Sequence, residues 1–107
     1  MPKVILRQTK DKLGSRYLEA RLEPSGDVVI DGQDLGGVEI FGAGIREYEY
    51  AWTIRAVDVP KLAKALGTAD NVLGALQSQY SDDKAAGLFS FLEEQGIPVE
   101  TWSRHGE

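Results

Sequence analysis

Apolar positions recur every second residue through the first half of the chain and every three or four residues after Asp58, so strands should come first and helices second. KVILRQT at 3–9 is rich in apolar and β-branched types, and the DKLGS cluster reads as a turn before RYLEARLE at 16–23, which predicts a first hairpin. In its second strand Leu18, Ala20 and Leu22 share one face, while Tyr17, Glu19, Arg21 and Glu23 share the other. PSGD at 24–27 is turn chemistry, and VVIDGQDL predicts a short third strand that the Asp31-Gly32 pair can close in a tight turn.

GGVEIFGAG at 36–44 holds four glycines and predicts an irregular loop or a bulged edge strand. The longest strand follows, IREYEYAWTIRAV at 45–57. It alternates Tyr48, Tyr50, Trp52 and Ile54 on one face with Glu47, Glu49, Ala51, Thr53 and Arg55 on the other. The aromatic face should lie under helices, since each such ring removes about 150–250 Å² from water. The acidic face should be wet or touch a partner.

Asp58 suits an N-cap, Pro60 suits a first turn, and Gly67 suits a helix stop, which together predict a helix with Val59, Leu62, Ala63 and Leu66 inward. A second helix over 69–80, capped by Asp70 or Asn71, carries Val72, Leu73, Leu76 and Tyr80 on one stripe. A third over 83–95 carries Ala85, Leu88, Phe89 and Leu92 and ends at Gly96. IPVETWSR at 97–104 predicts a last strand beginning at proline; Trp102 shares its face with Glu100 and Arg104, as in a strand covered on both sides. The order predicts one α+β domain over 1–107, a four- or five-stranded mainly antiparallel sheet with three helices packed on one face.

Composition narrows the function classes. At 107 residues, with 42% hydrophobic and 27% charged, the chain suits a single globular domain. No apolar run approaches the roughly 20 residues of a membrane span, and the opening MPKVILRQTKDK lacks a secretory pattern, so a cytoplasmic protein without membrane association is expected. Zero cysteines exclude disulfides and thiolate chemistry. A net charge of −5 argues against nucleic acid as a partner. The charge is bipolar. Residues 1–16 carry Lys3, Arg7, Lys10, Lys12 and Arg16 against Asp11, whereas residues 19–49 carry eight carboxylates against Arg21 and Arg46. Either the basic hairpin pairs with the acidic strands, or the acidic strands present a face to a basic partner.

Catalytic and ligand motifs are not found. Glu47 and Glu49 would lie about 6.5–7 Å apart on one strand, but acid–base work needs burial that shifts a pKa, and an open sheet face offers none. Asp27, Asp31 and Asp34 miss the spacing of a calcium loop, and the glycines at 36, 37, 42 and 44 match no phosphate-binding pattern. His105 reads as a tail residue, and no serine sits in a nucleophile elbow. Tyr48, Tyr50 and Trp52 lack the interleaved cations of a base-stacking platform. The expectation is therefore no enzyme, no metal and no cofactor. Tyr17, Glu19, Arg21, Glu23, Asp31, Asp34, Glu47 and Glu49 are the candidate partner-binding residues.

The runs RYLEARLEPSGDVVIDGQDLG at 16–36, EYEYAWTIRAVDVPKLAKALG at 47–67 and GIPVETWSR at 96–104 resemble a family of small uncharacterised bacterial proteins with this order of elements. That resemblance carries no catalytic residues. The whole also looks like the immunity proteins of contact-dependent inhibition and other polymorphic-toxin systems, often small, acidic, cysteine-poor α+β domains. The resemblance implies a function of binding and blocking a basic toxin domain, frequently a nuclease. Two alternatives stand beside it: a small-ligand domain with a pocket between the sheet end and the Gly-rich loop, and a scaffold or homodimer paired through strand 97–104 or through the acidic face.

Overall fold

Period-two segments can satisfy their backbone groups only by pairing, and in the computed structural model, which describes residues 2–11, 14–36 and 47–106, they pair in chain order. Strands β1 (Lys3–Asp11), β2 (Gly14–Leu22), β3 (Val28–Gly36), β4 (Glu47–Ile54) and β5 (Glu100–Gly106) form one sheet in the order β1-β2-β3-β4-β5, antiparallel at every step. The expected α+β class is thus observed, with five strands. Residues 37–46, which hold nearly all of the stretch expected as an irregular loop or bulged edge strand (36–44) and the first two residues of the strand expected from 45, lie outside the described residues, as do the tip of the first turn at 12–13 and the His105 side chain.

Three helices stand between β4 and β5: α1 (Val59–Leu66), α2 (Val72–Gln79) and α3 (Leu88–Glu94). α1 ends where expected, at Gly67 with φ of 76°, whose N–H donates to the Lys64 carbonyl at 3.1 Å while Thr68 N–H donates to Ala63 at 3.0 Å. Asp58 precedes α1 without a side-chain cap bond; its Oδ1 lies 3.7 Å from Lys61 Nζ instead. Asn71, not Asp70, caps α2, its Oδ1 accepting from Gly74 N–H at 3.1 Å. The segment expected as one helix over 83–95 divides into a 3₁₀ stretch, Asp82–Gly87, and α3. Asp82 opens it with φ of 55°, and Gly87 sits at the junction.

The helices cover one face of the sheet. α2 lies over β1 and β2, the 3₁₀ stretch over β1, and Phe89 of α3 meets Trp52 of β4 with ring centroids 5.0 Å apart. Leu18, Ala20, Val28, Ile30 and Ile54 from the strands and Leu62, Leu76, Leu88 and Leu92 from the helical segment form one buried core. Each buried Leu or Ile contributes about 1.5–3 kcal/mol relative to exposure.

Three expectations are corrected. Asp31 and Gly32 do not end β3 but stand in its middle, opposite Glu19 and Leu18 on one side and Ala51 and Tyr50 on the other. The last strand begins at Glu100 rather than at the proline, because Ile97 is drawn into the core before pairing starts. Nor is β5 covered on both sides: Trp102 is 53% exposed and lies on the face away from the helices, opposite Ala51.

Candidate functional site

Antiparallel register decides which side chains share the face that no described helix covers, here the uncovered face. Opposite partners point the same way, so the rows Tyr17–Gln33–Glu49–Arg104 and Glu19–Asp31–Ala51–Trp102 lie on the side away from the helices. Seven of the eight candidate residues gather there: Tyr17, Glu19, Arg21, Glu23, Asp31, Glu47 and Glu49. Asp34 does not. It stands in the row Arg16–Asp34–Tyr48, one position out of phase, and so belongs to the helix-side face, where its Oδ1 lies 3.5 Å from Arg16 Nε.

Two clusters organise the uncovered face. Arg21 is the centre of the first, with Nε 3.1 Å from Glu23 Oε1, Nη1 3.7 Å from Glu19 Oε2, and a further pairing of Nη1 with Asp31. Glu19 and Asp31 are direct cross-strand neighbours, a like-charge pair that would be unfavourable without the guanidinium between them. Tyr17 donates its hydroxyl to Glu19 Oε1 at 2.8 Å. Burial, then the hydrogen bond to Glu19 and its charge, push the Tyr17 pKa upward, so the phenol stays neutral at physiological pH.

Arg104 is the centre of the second cluster, with Nη2 3.0 Å from Glu49 Oε2 and 3.9 Å from Glu47 Oε1. Gln33 Nε2 donates to Glu49 Oε1 at 3.5 Å. Hydrogen bonding with the neighbouring Glu47 carboxyl, the largest cause, raises the Glu49 pKa, with Arg104 opposing.

The described cations of the basic hairpin divide between the two faces of the sheet. A β-bulge between Ile5 and Arg7 turns both Leu6 and Arg7 to the helix side, where Arg16 also points, and among the described residues of the hairpin only Lys3 reaches a carboxylate of the uncovered face, Glu19 at 3.8 Å. Among the described residues, Lys3, Lys10, Arg21, Arg55 and Arg104 stand on the uncovered face against Glu19, Glu23, Asp27, Asp31, Glu47, Glu49 and Glu100. Five cations against seven carboxylates leave a surplus of two negative charges. Trp102 and Ile5 add exposed apolar area.

Arg104 and Trp102 were missed as site residues because their face follows from the β4–β5 register, which a single strand's alternation does not contain. Among the described residues no group of three or more His, Cys, Asp or Glu side chains converges to hold a metal ion, and no helix is long and apolar enough to cross a membrane. No protein-family model, curated protein or solved structure matches the chain.

Proposed function

We propose that the chain is a protein-binding module that docks a basic protein domain on its uncovered sheet face, most specifically an immunity protein that neutralises a toxin by occupying its cationic substrate site. The observation that carries this reading is the gathering of Tyr17, Glu19, Arg21, Glu23, Asp31, Glu47 and Glu49 on one uncovered face of a continuous five-stranded sheet. A hydrogen-bonded sheet presents these side chains at fixed spacing, so little ordering entropy is lost on docking.

Charge supports the direction of the preference. The excess carboxylates steer a cationic partner, and the internal pairs are no obstacle, since exposed ion pairs are worth only about 0–1 kcal/mol each and can exchange for a partner's cations. Exposed Trp102 beside the acidic rows has the form of an anchor in such an interface. The test is capture of a basic protein from the source cells by the tagged chain, repeated with the Glu19→Gln, Glu47→Gln, Glu49→Gln triple variant. A basic protein retained at low salt, released at high salt and lost by the folded variant supports the reading; equal retention by both chains overturns it.

A further inference from the structure

The opposite face of the sheet holds a cavity. It has a volume of about 530 Å³ and lies between the strands, the 3₁₀ stretch and Phe89 of α3, within the roughly 300–1,000 Å³ of small-ligand sites. One wall is aromatic: ring centroids step 5.3 Å from Tyr48 to Tyr50, 5.4 Å to Trp52 and 5.0 Å to Phe89. The other carries Arg7 and Arg16.

Among the described residues the cavity carries Arg7 and Arg16 against Asp34, which lies 3.5 Å from Arg16, so one positive charge is in excess. Among the described residues Arg7 Nε is buried without a hydrogen-bond partner, as is Asp34 Oδ1, while the rest of the Arg7 guanidinium meets the Tyr50 hydroxyl; an acceptor entering the cavity would satisfy the free Arg7 donor. The Tyr50 hydroxyl belongs to the same group. Its pKa is raised by burial and then by Asp34, with Arg7 and Arg16 opposing, so at neutral pH it keeps the proton that it can donate.

We propose that this cavity binds a planar aromatic monocarboxylate, its ring against the Tyr50–Trp52–Phe89 wall and its carboxylate on Arg7. One negative charge matches the one surplus cation, and the flat ring matches the wall by stacking. The cavity opens on the helix side of the sheet and the protein-docking face lies on the other; Trp102 of β5 borders both.

The experiment is calorimetric titration of the full chain with 2-naphthoate and with 2-naphthamide, which keeps the ring and lacks the charge. Naphthoate should bind saturably at one site, and the amide should bind at least about tenfold more weakly, the worth of one charge-assisted hydrogen bond. Arg7→Gln should cost naphthoate a similar factor, while Lys64→Gln, an exposed position on α1 outside the cavity, should leave its affinity unchanged. Absence of saturable naphthoate binding at millimolar concentration, or equal affinity for acid and amide, would overturn the proposal. Should Arg7→Gln fail to fold, the acid-to-amide ratio on the unmodified chain decides.

Discussion

Tyr50 lays its ring across Gly32, its cross-strand neighbour on β3, so closely that a β-carbon built on Gly32 would overlap the ring. A glycine in a strand interior is unfavourable by roughly 0.5–1 kcal/mol relative to alanine, and here the missing side chain is what lets an aromatic ring cross the sheet toward β2.

That relationship is open to a double-mutant cycle. Gly32→Ala alone should destabilise the fold by about 1–3 kcal/mol, because the ring must be displaced. In a Tyr50→Ala background the same change should cost nothing or stabilise, giving a coupling energy above about 1 kcal/mol by urea unfolding. Additive effects would mean that the two residues do not meet as described.

The pairing of Gly32 with Tyr50 also marks the limit of sequence reading in this chain. Alternation in RYLEARLE and EYEYAWTI and the caps Asn71 and Gly67 located strands and helices, because each is a local property of a few residues. Asp31-Gly32 looked like a turn because its chemistry is that of a turn; a ring arriving from β4 is not a local property. Sequence neighbourhood groups Asp34 with the acidic residues, yet it is an odd number of positions from Asp31, and a strand that continues through Gly32 sends it to the other side. The Arg7 cavity depended on a bulge in β1, which no residue type there announces.

Leu88 is fully buried where α3 begins. Leu88→Ala should cost about 2–5 kcal/mol, read as a lower urea midpoint with unchanged slope. A loss below about 1 kcal/mol would contradict the packing of α3 on the sheet.

Arg21, with 26% of its side chain exposed, holds Glu19, Glu23 and Asp31 together, so Arg21→Gln should destabilise the fold by about 1 kcal/mol at low salt. The loss has a salt signature. Repulsion among the remaining carboxylates is screened as ionic strength rises, so adding salt should stabilise the variant more than the parent, and an equal response would contradict the cluster.

Glu49 titration tests the second cluster. Because its folded-state pKa is raised, the carboxyl binds its proton more firmly folded than unfolded. Its contribution to stability is therefore fully present below the ordinary glutamate range and is lost as pH rises through the raised value. Carboxyl-carbon NMR should place Glu49 above an ordinary glutamate, with Glu47→Gln lowering its midpoint and Arg104→Gln raising it further. Indifference to both substitutions would remove the assigned cause.

The central claim, a docking face for a basic protein, is tested most directly by the association rate of the captured partner with the parent chain and with the folded Glu19→Gln, Glu47→Gln, Glu49→Gln variant, each at low and high salt. The expected result is slower association of the variant at low salt, by about tenfold or more, with the two rates converging at high salt. Identical rates at low salt would mean that the partner approaches another surface and that the acidic rows serve only the sheet itself.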